Sequence, residues 1–272
     1  MPVIATNTSA NTALVYLNKN SRDMEKSLGK LSAGTRIVKA SDDAAGLAVA
    51  SRLQADITVL QQAGRNALQA RSVLQVADGG LARIGDILQR MKSLAAQSAS
   101  GSVDSAARGF IDTEYQQLLL EIDDIATTTE FNGQTLLNAN YNESFLVGVD
   151  ATGGNVIAVD LTAVDATSLS SAGGDVTSYT AATTAIADID ADIDTISTWR
   201  ADLGGFISRF EFRGDVIDTA VENLSAARSS IYDVDIASEQ TNLTSKQVMT
   251  EAAIAALAQA NQMKSSLLAL VR

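Results

Sequence analysis

A chain of 272 residues with 46% apolar content is long enough for one or two folded domains and too apolar for a disordered one, while 4% aromatic residues leave few bulky groups for a globular centre. Histidine and cysteine are absent, which excludes imidazole bases, thiol nucleophiles, soft metal ligands and disulfides. The formal charge of -12 is uneven: between Arg108 and Arg200 there is no basic residue, yet 109–199 holds 15 acidic ones, a balance that argues against nucleic acid or anionic lipid as a partner.

Pro2 is the only proline, so no internal proline kink interrupts a helix. Positions 1–18 lack a basic region followed by an apolar run, and no stretch reaches the 18 apolar residues of a membrane span. If the protein leaves the cell, it must use a route without a cleaved general signal, and no membrane insertion is expected.

In chain order, 1–36 is polar with a thin helical stripe of Leu14, Leu17, Met24, Leu28 and Leu31. Ser41, Asp42 and Asp43 supply cap candidates for a long helix over 43–98. Within it Leu53, Leu60, Ala67, Leu74, Leu81, Leu88 and Ala95 recur every seven residues. The companion series Val49, Asp56, Ala63, Ala70, Ala77, Ile84 and Met91 completes a coiled-coil-like seam. Such a helix is about 80 Å long, so a rod is expected. Ser100-Gly101 ends it, and Asp104 starts an antiparallel return whose packed face is Ile111, Tyr115, Leu118, Ile122 and Ile125.

Thr127 to Thr129 lower helix propensity before the Asn132-Gly133 turn signal. Alternation from Phe145 to Val149, turn residues through Gly153-Gly154, and Val156 to Leu161 read as a small β-hairpin. The Thr/Ser/Gly/Asp-rich 162–183 reads as an exposed loop. Helical spacing resumes at Ile186, Ile189, Ile193 and Ile196 and continues through Leu203, Ile207, Phe210 and Ile217 to Ile231. Arg200 and Gly214 fall off the pattern. A break at Asp233-Val234-Asp235 precedes a terminal helix with Ile254, Leu257, Ala260, Leu267 and Leu268. The fold class is therefore mainly α: an elongated antiparallel helical bundle or coiled coil with a small β-hairpin region at its outer end. The helix packing residues of such a rod are Leu53, Leu60, Leu74, Leu81, Leu88, Ile193, Ile196, Leu203 and Phe210. The terminal stripes, Leu14, Leu17, Met24, Leu28 and Leu31 with Ile254, Leu257, Leu267 and Leu268, are too thin to form a core alone. The plain reading is a soluble helical bundle with frayed ends; the sharper one is that these stripes bury only against neighbouring subunits.

The run Lys39-Ala40-Ser41-Asp42-Asp43-Ala44-Ala45-Gly46-Leu47-Ala48-Val49-Ala50 resembles the N-terminal signature of bacterial flagellins, preceded by Leu31 to Ile37 and followed by Ile87 to Ala95 and Thr129 to Gln134. Ala226 to Asp235 is similar to the C-terminal signature, and Gln259-Ala260-Asn261 with Leu267-Leu268 to the terminal helix. The resemblance covers about 36–138 and 186–272 well, 1–35 fairly, and the middle hardly at all. It implies a secreted, extracellular subunit of the flagellar filament that polymerises with itself into a helical propeller for swimming. Its partners would be the flagellar export apparatus and an export chaperone, the filament cap and hook-junction proteins. The resemblance divides the chain into an inner D0 layer, 1–36 with 237–272, and a D1 rod, 37–236, in which 137–184 is hairpin and loop. No separate outer domain is expected, nor any cofactor. A hook–filament junction protein and a secreted adhesin or receptor-binding protein are the alternative roles.

In many members the residues matching Gln89, Arg90, Leu94 and Glu114 form a patch read by Toll-like receptor 5; contact between subunits is the plainer reading of the same patch. Ser93 replaces the acidic residue often found there, which weakens the receptor contact. Leu203 to Phe210 is a modified form of a family stretch, with Ile207-Ser208 more apolar than usual. Trp199 reads as a packing or interface residue. Asp188, Asp190, Asp192 and Asp194 lie two apart, diverge on a helix, and read as solvent-facing rather than as a calcium site. No histidine or GxSxG-type elbow accompanies the many Ser and Asp residues, so the chain is read as a structural protein and not an enzyme. Ser and Thr in 162–184 are candidate acceptors of O-linked sugar.

Overall fold

The computed structural model describes residues 6–164, 169 and 174–270, with side chains as far as 266. Its elements in order are α1 (Thr8–Ala33), α2 (Ala44–Ser98), α3 (Ser105–Thr128), β1 (Glu130–Phe131), β2 (Gln134–Thr135), β3 (Tyr141–Leu146), β4 (Val156–Leu161), α4 (Tyr179–Tyr232) and α5 (Ile236–Leu270). A single 3₁₀ turn, Gly153–Asn155, precedes β4. The protein is mainly helical, with two small antiparallel β-hairpins. The chain divides into two compact units, one of 1–55 with 223–272 and one of 56–222.

Local chemistry sets the helix ends. The Asn7 side chain accepts the Ala10 N–H at 3.0 Å and starts α1, which stops at Gly34, left-handed at φ 70°. Asp43 accepts the Gly46 N–H at 2.8 Å and caps α2. Asp42 accepts the Lys39 and Val38 N–H groups, chiefly Lys39, and these bonds hold its carboxyl below the usual carboxylate range. Asp104 caps α3 through the Ala107 N–H at 2.7 Å. At the far end of α3, Thr127, Thr128 and Thr129 bond back to carbonyls three and four residues earlier, and the helix ends at Thr128. Asn132 (φ 54°) and Gly133 (φ 77°) both take the left-handed conformation that a two-residue hairpin turn requires, joining β1 to β2.

The core of the 56–222 unit follows the heptads. Leu60, Ala63, Ala67, Ala70, Leu74, Ala77, Leu81, Ile84, Leu88, Met91 and Ala95 are all buried along α2. From α4 the buried positions Ile189, Ile196, Leu203, Phe210 and Ile217 also recur every seven residues. The helices are antiparallel and in constant register: a Cβ on Gly64 would lie 3.6 Å from Ile217, Arg200 pairs with Asp78 at 2.8 Å, and Lys92 pairs with Asp190. Alanine opposite isoleucine or leucine along this seam leaves room for the larger chain from each partner.

Three expectations are corrected. The packed face of α3 is Ile111, Tyr115, Leu119, Ile122 and Ala126, with Leu118 and Ile125 half-buried, because a helix of 3.6 residues per turn runs ahead of the 3.5-residue average of alternating four and three steps. The first hairpin strand is β3, Tyr141–Leu146, and ends before Val149; the Val147 N–H turns to the Asn155 carbonyl at 2.8 Å, and the Asn155 side chain packs against Gly148 where a Cβ would stand. Asp192 is not solvent-facing but 2% exposed, on the face of α4 that looks at Tyr115. Asp190 and Asp194 are exposed, as read. Of the expected loop 162–183, residues 165–168 and 170–173 lie outside the described residues.

The β3–β4 hairpin pairs Tyr141 with Leu161 through to Leu146 with Val156. It is fastened to α4 by Arg213, which donates to the Val147 carbonyl (3.1 Å), the Gly154 carbonyl (2.9 Å) and Asn155 Oδ1 (2.7 Å). Phe145 stands edge-on to Phe210 at 5.6 Å.

Candidate assembly surface

Within the unit of 1–55 and 223–272, α1 and α5 pack against each other. Small residues permit this: Ala10, Ser27 and Ala260 are buried at the contact, with Leu243 the one large buried side chain of α5 among the described residues. Asn7 donates from Nδ2 to the Ala260 carbonyl at 3.0 Å, and Lys246 stands 3.6 Å from Asp23. A two-helix pair has no third layer, so each helix keeps apolar groups it cannot cover. Leu14, Val15, Tyr16 and Leu28 on α1 are exposed, as are Val248, Met249, Ile254 and Met263 on α5, and Leu28 is 58% exposed. Single exposed apolar residues are ordinary, but this density on two narrow helices is not. Full burial of a side chain of this size stabilises by roughly 1.5–3 kcal/mol, a contribution the pair alone leaves unrealised.

The residues read from sequence divide accordingly. Leu14, Leu28 and Ile254 are exposed; Leu17, Met24, Leu31 and Leu257 are half-buried. The side chains of Leu267 and Leu268 lie outside the described residues. Leu60, Leu74, Leu81, Leu88, Ile196, Leu203 and Phe210 are buried, whereas Leu53 and Ile193 are half-buried. Val15, Tyr16, Val248 and Met249 were missed because they fall outside the three-and-four spacing used to find a stripe.

The patch of Gln89, Arg90, Leu94 and Glu114 is only partly a surface. Arg90 grips one Glu114 oxygen through Nε at 2.9 Å and Nη2 at 2.5 Å, and Gln89 is exposed beside them. Leu94 is 2% exposed and belongs to the inward face of α2, so it presents nothing to a partner. Trp199 is half-buried beside Leu81, Leu137 and Leu203.

The junction below α1 is stitched to the break between α4 and α5. The Arg36 N–H donates to the Tyr232 carbonyl (2.8 Å) and the Val234 N–H to the Gly34 carbonyl (3.2 Å), and Thr35 bridges Asp233 antiparallel. In the other unit the Tyr115 hydroxyl is buried with no hydrogen-bond partner. Burial first, then the charges of Asp192, Asp188 and Asp112, push its pKa up to about 12. Among the described residues no three His, Cys, Asp or Glu side chains converge to hold a metal, and no helix is long and apolar enough to cross a membrane.

Comparison with known proteins matches both helical regions of the chain. The bacterial flagellin N-terminal helical region matches residues 4–142, and the bacterial flagellin C-terminal helical region matches 186–271. A flagellin of Halalkalibacterium halodurans is 39% identical over 99% of this chain and 100% of its own length. A flagellar filament 33 kDa core protein of Treponema phagedenis is 34% identical over 99% and 100%. Among solved structures, a crystal structure of Bacillus cereus flagellin is similar over 60% of this chain and 94% of its own, at 29% identity and TM-score 0.49. With both helical regions matched, in order and flanking an unmatched middle, the chain belongs to the bacterial flagellin family.

Proposed function

We propose that this chain builds an extracellular flagellar filament by burying, between copies, the apolar groups that α1 and α5 leave in water. The terminal segments 1–36 and 237–272 form the inner tube, and 37–236 forms the surrounding rod layer. The observation that supports this division is the shortage of buried large side chains between α1 and α5 beside the exposed Leu14, Leu28, Ile254 and Met263. Stacking copies around an axis removes each of these from water at once, and the contact is heterologous because the two helices present different residues.

Export before assembly suits a chain without disulfides, since nothing covalent resists threading. The flagellar export apparatus, an export chaperone that covers the exposed helices, the filament cap and the hook-junction proteins are the partners this reading requires. Toll-like receptor 5 recognition would rest on Gln89, Arg90 and Glu114, with Leu94 acting only through packing.

The test is assembly of purified chain carrying Leu28→Asp and Ile254→Asp, followed by light scattering and electron microscopy. Both positions are exposed, so helix content should match the parent, and elongation onto parental seeds should stop. Filaments elongating at the parental rate would remove the proposal. A junction protein is separated from a filament subunit by copy number along native filaments.

A further inference from the structure

Two of the large apolar side chains that α5 leaves in water are thioethers: Met249, 47% exposed, and Met263, 53% exposed. The other described methionines are covered. Met91 is 0% exposed in the α2 seam, and Met24 is half-buried on α1.

The two exposed thioethers occupy equivalent places on α5. Met249 follows by three residues Lys246, which stands 3.6 Å from Asp23 of α1. Met263 follows by the same three residues Ala260, whose carbonyl accepts from Asn7 of α1. Three residues of an α-helix turn through about 300°, so each thioether lies about 60° round from a contact with α1, on the same flank of the pair. Two heptads separate them, about 21 Å along the helix, with the exposed Ala256 midway. The flank is an apolar line whose two large members both carry sulfur.

A thioether buries much as an alkyl side chain does, but a peroxide oxidises only the thioether. The sulfur lone pair attacks one oxygen of hydrogen peroxide, and the O–O bond breaks as the S–O bond forms. The hydroxide released takes the proton left on the attached oxygen and departs as water. Sulfur loses two electrons and the peroxide gains them. The product is a sulfoxide, a polar acceptor on a side chain bound for a dry contact.

Resting on the filament reading above, we propose that Met249 and Met263 are a redox modification site controlling assembly. A peroxide converts them to sulfoxides in the unassembled chain and so blocks its incorporation, whereas burial between copies shields them in the filament. Either oxygen leaves an unpaired acceptor on the same flank, so one oxidised site weakens the contact and two weaken it further. The change is reversible, because methionine sulfoxide reductases return the thioether.

The test applies hydrogen peroxide to dilute folded chain and to finished filaments, with peptide mass mapping of the added oxygen. In the dilute chain Met249 and Met263 should oxidise before Met24, and Met91 last. In filaments both should react more slowly by about tenfold or more, since oxidation follows exposure. Equal rates in filaments and dilute chain overturn the proposal. Oxidised chain is then offered to parental seeds. The concentration needed for elongation should rise about tenfold or more over the untreated sample. Helix content should be unchanged by circular dichroism, and reductases acting on both sulfoxide epimers should restore elongation. An unchanged concentration overturns the proposal. In Met249→Leu, Met263→Leu, compared with its own untreated sample, the peroxide effect should vanish; an effect as large as in the parent overturns the site. Untreated parental chain separates the two readings. If it elongates and peroxide changes nothing, only the redox site falls; if the Leu28→Asp, Ile254→Asp variant elongates at the parental rate, the filament reading falls.

Discussion

Arg36 holds the carbonyl of Ile231 with two guanidinium nitrogens, Nε at 3.1 Å and Nη2 at 2.7 Å. The carbonyl belongs to the last turn of α4, where no helical N–H remains to satisfy it. One side chain therefore terminates α4 and ties the strand-like residues 34–36 to it, with Asp43 a further 3.7 Å contact. Arg36→Lys keeps the charge and loses the fork, and should cost about 1 kcal/mol; Arg36→Ala should cost about 1–2 kcal/mol. Faster amide exchange at Arg36 and Val234, with α3 unchanged, is the measurement.

Gly79 and Gly80 are adjacent in α2 and should respond oppositely to alanine. A Cβ at Gly79 meets nothing within 4 Å. One at Gly80 would stand 2.7 Å from Leu137 Cδ1 and 2.8 Å from Thr129 Oγ1, and that hydroxyl is already bonded to the Ile125 carbonyl. Gly79→Ala should stabilise by about 0.5–1 kcal/mol through helix propensity. Gly80→Ala should lose that gain and about 1–3 kcal/mol more to overpacking. Denaturant midpoints of the two variants decide it.

Tyr115 sets an alkaline limit. Its folded pKa of about 12 lies above the ordinary 10.0, so the folded state prefers the neutral phenol. The contribution is complete below pH 10 and is lost as pH rises through 12. Tyr115→Phe removes a hydroxyl without a hydrogen-bond partner and should be close to neutral at pH 7, while moving the alkaline unfolding transition upward. Ultraviolet absorbance and circular dichroism, followed together against pH, report both.

Asp150 behaves in the opposite sense. Its Oδ1 accepts from Thr152 Oγ1 (2.7 Å), Asn155 Nδ2 (2.6 Å) and the Thr152 N–H (3.2 Å), and these bonds lower its pKa from 3.8, the Thr152 side chain most. The stabilisation is present above pH 3.8 and disappears as pH falls through the lowered value. Exchange at the Thr152 amide should accelerate in that window, and in Asp150→Ala it should be fast at every pH.

The α2 seam was legible because its spacing is strict: every seventh residue from Leu60 to Ala95 is Leu or Ala, and all are buried. The break at Asp233-Val234-Asp235 was legible for the same reason, as a lapse in period. Strand β3 was not, because Asn142, Glu143 and Ser144 are all exposed and show no alternation, whereas Ile157, Val159 and Leu161 of β4 alternate cleanly. Asp192 was hidden because a carboxylate at a core position contradicts the rule used to find cores. Of the exposed groups of α1 and α5, Leu14, Leu28 and Ile254 lie on the stripes read from the sequence, whereas Val15, Tyr16, Val248 and Met249 fall outside that spacing.

The register of α2 against α4, followed outward to the ends, fixes an order of events. Lys92 and Asp190 are 98 positions apart, Gly64 and Ile217 are 153, and Asn7 and Ala260 are 253. Each pairing encloses the previous one, so the entropy of closing a wide loop falls if the inner pairs form first. The nesting predicts folding from the Lys92–Asp190 pairing toward the termini, an order that pulse-labelled amide exchange would read. The helices that meet last are those with the most uncovered apolar surface, and a chain growing from its N-terminus holds α1 without its mate until synthesis is almost complete.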